Sequence, residues 1–69
     1  MARHHEWWYI KRLQKYYNER YLPYDEEVEW YGNPNPNQWR FVIPSKKLNV
    51  LFTCDDNGNV TEERSEYIP

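Results

Sequence analysis

The side chains able to do chemistry in this sequence are few, and their spacing does not suit it. His4 and His5 are adjacent, but neighbours on a helix diverge by about 100°, and no third histidine or matching cysteine completes a ligand set. The run Asp55-Asp56-Asn57-Gly58-Asn59 superficially resembles a calcium loop. It lacks the glycine that an EF-hand requires at its sixth position, and reads instead as a hairpin turn. Cys54 is followed by two aspartates, which disfavour its thiolate, whereas reactive cysteines need electropositive surroundings. The pairs Glu26-Glu27 and Glu62-Glu63 point to opposite faces of a strand, so neither pair converges for acid-base work. Phosphate cradles, nucleophile elbows and zinc-ligand spacings are absent from the sequence. The expectation is a protein that is not an enzyme, with no catalytic residue, no metal ligand and no cofactor.

What remains is chemistry of contact. Around Trp8 the helical projection gathers Lys11, Arg12 and Lys15 on the solvent side. An exposed Trp among cations suits a protein interface, where Trp and Arg carry much of the binding energy. It also suits a single strand of nucleic acid, with the ring stacking on a base and the cations meeting phosphates. A second candidate surface is acidic: Asp25, Glu26, Glu27, Glu29, Asp55, Asp56, Glu62, Glu63 and Glu66 face a basic partner. Self-association is a third route, through Tyr31, Val42 and Leu51 or through an unpaired sheet edge.

The elements that must position these groups follow from periodicity. From about residue 4 to 21, Ile10, Leu13 and Tyr17 recur on one side, flanked by Trp7, Tyr9, Tyr16 and Tyr21, which predicts a helix with a core-facing stripe. Pro23 sets its end. The rest alternates with period two over about 27–31, 38–43, 48–54 and 59–67, which predicts strands. The Gly32–Asn37 stretch holds two prolines and three asparagines and must be an exposed loop. A four-residue hairpin over 44–47 pairs Ile43 with Leu48, Phe41 with Val50 and Trp39 with Phe52, all on one face. A three-residue loop with Gly58 left-handed sets Val60 against Cys54. The predicted fold is α+β: a single N-terminal helix packed on a three- to four-stranded antiparallel β-meander (αββββ), as one small domain over 1–69.

Composition sets bounds on this reading. A chain of 69 residues buries only about 60% of its unfolded surface, so each large apolar side chain matters. Four Trp, seven Tyr and two Phe must build most of the core. Net charge is −2, yet the signs separate: five basic and two acidic residues up to Arg20 give +3, and four basic and nine acidic after it give −5. A single cysteine, no apolar leader ahead of the first charges, and no long apolar run point to the cytoplasm and away from membranes. The expected function is a small protein-binding module of inhibitor or accessory adaptor type, acting by stoichiometric association with another protein. The alternative is a nucleic-acid-binding protein using the basic, Trp-bearing helix face, against which the acidic pI near 5.6 stands.

Overall fold

The computed structural model describes residues 4–24 and 27–68. One helix, α1 (Glu6–Arg20), is followed by a 3₁₀ turn (Leu22–Tyr24) and by four strands: β1 (Glu29–Gly32), β2 (Gln38–Ile43), β3 (Leu48–Cys54) and β4 (Val60–Glu66). The strands form one antiparallel sheet in the order β1-β2-β3-β4. This is the expected α+β arrangement, with all four strands present.

The central hairpin has the register that its apolar alternation dictates. Ile43 faces Leu48, Phe41 faces Val50 and Trp39 faces Phe52. The connection is a short 3₁₀ turn over Pro44–Lys46, closed by Lys47 in the left-handed region (φ 51°) with its amide donating to the Pro44 carbonyl. Between β3 and β4, Gly58 at φ 88° permits the chain to reverse, a conformation glycine adopts without steric cost. Asp55 Oδ1 accepts from the amides of Asn57 and Asn59, both at 2.9 Å, an Asx turn that fixes the loop. Val60 consequently pairs with Cys54. The β1–β2 loop is stapled by its own asparagines: Asn33 donates to the Gln38 carbonyl and Asn35 to the Gln38 side chain.

Elements differ from expectation mainly at their ends. The helix begins at Glu6 rather than residue 4, and β1 begins at Glu29 rather than 27. The strand β1 also extends to Gly32, with a register shift between Trp30 and Gly32. Residues 25 and 26, part of the predicted acidic surface, lie outside the described residues.

The core lies between α1 and the sheet: Tyr9, Leu13, Tyr21, Phe41, Ile43, Val50, Phe52 and Cys54 are buried together. Its rings meet edge to face, with Phe41 and Phe52 at 5.2 Å and 76°, and Tyr21 and Phe41 at 5.2 Å and 84°. That geometry sets the positive ring edge against the negative face. The stripe is centred on Tyr9 and Leu13, while Ile10 and Tyr17 are half-buried. A hydrogen bond of 2.6 Å from the Tyr9 hydroxyl to Asp56 Oδ1 anchors this rotation to the β3–β4 loop. Trp7, predicted to flank the core, is instead 69% exposed. Val42 points away from the helix yet is fully buried. On its face of the sheet, Tyr31 from β1 and Tyr67 beyond β4 meet hydroxyl to hydroxyl at 2.8 Å.

Candidate functional site

Helical geometry places Trp8 beside Arg12 one turn on, and the structure uses that neighbour to cover the ring. The Arg12 guanidinium lies 3.6 Å over the indole, and the His4 imidazole stacks on it at 3.6 Å and 13°. His4, just ahead of the helix, precedes Trp8 by four residues and Arg12 follows it by four, so they reach the ring from its N-terminal and C-terminal sides. Tyr9 meets it edge-on at 5.1 Å. Trp8 is half-buried against the core cluster, contrary to its expected exposure on the solvent side. The reason is that the β3–β4 loop rises to the helix: Gly58 lies close to both Arg12 and Trp8.

The predicted cations do come together. Lys11, Arg12 and Lys15 line a cleft of about 560 Å³ between the helix and the start of β4, with Tyr16 and Val60 among its walls. Arg20, Lys46 and Arg64 line a second cleft of about 630 Å³ at the other end, over Ile43 and Leu48. Glu19 lines both, so the two clefts adjoin in a trough along this side of α1. Between them the helix end is tied to β4. The Tyr21 hydroxyl donates to Glu62 Oε2 at 2.7 Å and accepts from Arg64 Nη2 at 3.0 Å. Arg64 Nε also pairs with Glu62. Burial first, and the bond to Glu62 second, push the Tyr21 phenol up to about 12. The Glu62 bond likewise raises Arg64.

On the opposite side of the helix a third surface appears that sequence reasoning did not assemble. Ile10, Trp30, Gly32, Asn33 and Trp39 line an almost wholly apolar groove of about 280 Å³. Trp30 and Trp39 stand perpendicular at 5.2 Å and 80°. Trp30 is 47% exposed, and Trp7 emerges from the same side of α1 one turn before Ile10. A signal existed: Trp7 projects about 120° from Leu13 on a helical wheel, too far round for a buried position.

Of the other predicted contact residues, Glu27 and Glu29 are exposed. Tyr31 is 46% exposed, its ring 5.4 Å from the Arg40 guanidinium, its hydroxyl held by Tyr67. Val42, expected to take part in self-association with Tyr31 and Leu51, is fully buried and cannot touch a partner. The edges β1 and β4 each pair on one side only.

As to chemistry, burial raises the thiol of Cys54 and the neighbouring Asp55 raises it further, which keeps it protonated. Among the described residues, no three His, Cys, Asp or Glu side chains are grouped to hold a metal ion, and no helix is long and apolar enough to cross a membrane. Comparison with known protein families, curated proteins and solved structures finds no match to this chain.

Proposed function

We propose that this protein is a non-enzymatic binding module that works by stoichiometric association with a partner protein, as an inhibitor or accessory adaptor does. One observation carries the reading: a domain whose core depends on aromatic rings leaves Trp30 at 47% exposure in the wall of an apolar groove, and Trp7 at 69% exposure one helical turn before Ile10, which lines it. Exposed tryptophans around a concave apolar surface are what central interface contacts are made of. Trp30 packs one side of its ring on Tyr17, Trp39 and Phe41, but its open side and most of Trp7 gain nothing from folding, and a partner that covers them is the physical account of that exposure. Glu29 and Tyr31 alternate with Trp30 along the edge strand β1 and present their side chains on the other face of the sheet.

Nucleic-acid binding through the helix fits the side chains less well. The stacking platform it requires is occupied, because His4 and Arg12 cover the Trp8 indole.

The test is affinity capture with the tagged protein and with a Trp7→Ala/Trp30→Ala variant shown by circular dichroism to be folded at the assay temperature. The expected result is a saturable partner retained by the native chain and lost by the variant. Equal retention by both, or nothing specific on either, sinks the reading.

A further inference from the structure

Six of the nine lysines and arginines in the chain, Lys11, Arg12, Lys15, Arg20, Lys46 and Arg64, line the two clefts along one side of α1. Glu19 is the one carboxylate among the described residues that line them. This concentration occurs in a protein of net charge −2, so it is a segregation of charge and not a basic composition. Among the described residues no ion pair engages Lys11 or Lys15. Both are exposed side chains with their charge turned to solvent.

We propose that this trough binds an extended acidic segment of a protein partner, in which carboxylates alternate with apolar side chains. The proposal rests on the protein-binding reading and names a second contact, on the other side of the helix from the aromatic groove. Charge complementarity selects an acidic occupant. The walls then select a polypeptide over a phosphate backbone. Leu48 and Val60, both half-buried, give apolar seats beside the cations, suited to apolar side chains of an extended strand. Stacking surfaces for bases are taken: Arg12 and His4 cover Trp8, and Arg20 lies 4.7 Å over Tyr16. The trough is also short. From Lys11 to Arg20 the helix rises about 14 Å at 1.5 Å per residue, the length of about four extended residues.

The experiment is fluorescence anisotropy with three labelled probes: a decapeptide alternating glutamate with leucine, its lysine-leucine counterpart, and a dodecamer of deoxythymidine. The native protein should bind the acidic peptide saturably and at least about tenfold more tightly than the basic one. Affinity should fall as salt rises from about 50 to about 300 mM. Lys11→Glu/Lys15→Glu should weaken binding about tenfold while circular dichroism stays unchanged, and Trp7→Ala/Trp30→Ala should bind as the native chain does. Absence of saturable binding to the acidic peptide overturns the proposal, as does binding indifferent to the lysine reversals. Tighter binding of the oligonucleotide through the same lysines overturns it in favour of nucleic acid. If the peptide fails while Trp7- and Trp30-dependent capture of a partner persists, the trough proposal falls alone and the protein-binding reading stands.

Discussion

The guanidinium of Arg12 lies flat over the Trp8 indole at 3.6 Å while its Nη1 donates to the Trp8 carbonyl at 2.9 Å. One side chain thus holds both the ring and the backbone of the residue a turn earlier. With His4 on the ring and its Nε2 3.2 Å from the Asp56 carbonyl, the start of α1 is riveted to the β3–β4 loop. This attachment stands in for the side-chain cap that His5 does not provide.

Trp8→Ala is therefore a stability mutation. Loss of a half-buried ring and of its cation contact should cost about 2 kcal/mol and lower the melting temperature by about 10 °C for a domain of this size. Thermal denaturation followed by circular dichroism measures it. An unchanged melting temperature would mean the stack contributes nothing.

Tyr21 gives a pH signature. Its pKa in the folded chain, about 12 against the ordinary 10.0, lies above its unfolded value. The stability linked to its proton is therefore complete below about pH 10 and is lost as pH rises toward 12. Burial raises Tyr17 in the same direction. Melting temperature should hold through neutral pH and fall across this window. Tyr21→Phe should flatten that fall while costing about 1 kcal/mol at neutral pH through the lost bond to Glu62. A variant as alkali-sensitive as the native protein would remove Tyr21 from the account.

How much of this was legible depends on which force decided each feature. The β2–β3 register could be read because a slip of one residue turns Phe41, Val50 and Phe52 into water, and no other interaction of that size competes. Gly58 was legible for the same reason: only a left-handed residue there sets Val60 against Cys54. The clustering of Lys11, Arg12 and Lys15 follows from helical spacing alone. The burial of Trp8 was not readable, because it depends on a loop fifty residues away rising to meet the helix. The same holds for Val42, which alternation assigns to the outer face and whose shelter lies beyond the strand pattern. Period-two patterns report the face of a residue, and coverage of that face by distant side chains is tertiary information.

Phe41 and Phe52 should be the most sensitive positions. Both are fully buried and each contacts the other and Tyr21. Replacement of either by Ala should cost about 3 to 5 kcal/mol, comparable to the whole stability of so small a domain. Urea titration should show each variant largely unfolded without denaturant, and a cooperative transition of native midpoint would contradict the assigned core.

Gly58→Ala tests the loop against the helix. The residue sits at φ 88°, and an added Cβ would approach Arg12 Nε to 2.9 Å. The backbone strain of about 1 kcal/mol applies whatever the side chain does, and the Arg12 guanidinium must also shift from its place over Trp8. A loss of about 1 to 2 kcal/mol is expected, visible as a lower urea midpoint at unchanged slope. In the Trp8→Ala background the same substitution should cost less, since the stack it disturbs is already gone. Equal costs in both backgrounds would show that only the backbone feels the change.

Trp7 should behave in the opposite way to Trp8, although the two are neighbours in sequence. At 69% exposure its side chain gains little from folding, so Trp7→Ala should move stability by less than about 0.5 kcal/mol. The contrast is decided by rotation about one helix axis: Trp8 turns toward the β3–β4 loop and is covered, while Trp7 is left in solvent one turn before Ile10, which lines the open apolar groove with Trp30 and Trp39. Intrinsic fluorescence offers a direct check. An aqueous quencher such as iodide should reach Trp7 and Trp30 and be hindered at Trp8, so the Trp7→Ala variant should lose a strongly quenched component and the Trp8→Ala variant a protected one. The reverse pattern would put Trp7 in the packed interior and take from the groove the exposed ring on which its role as a contact surface depends.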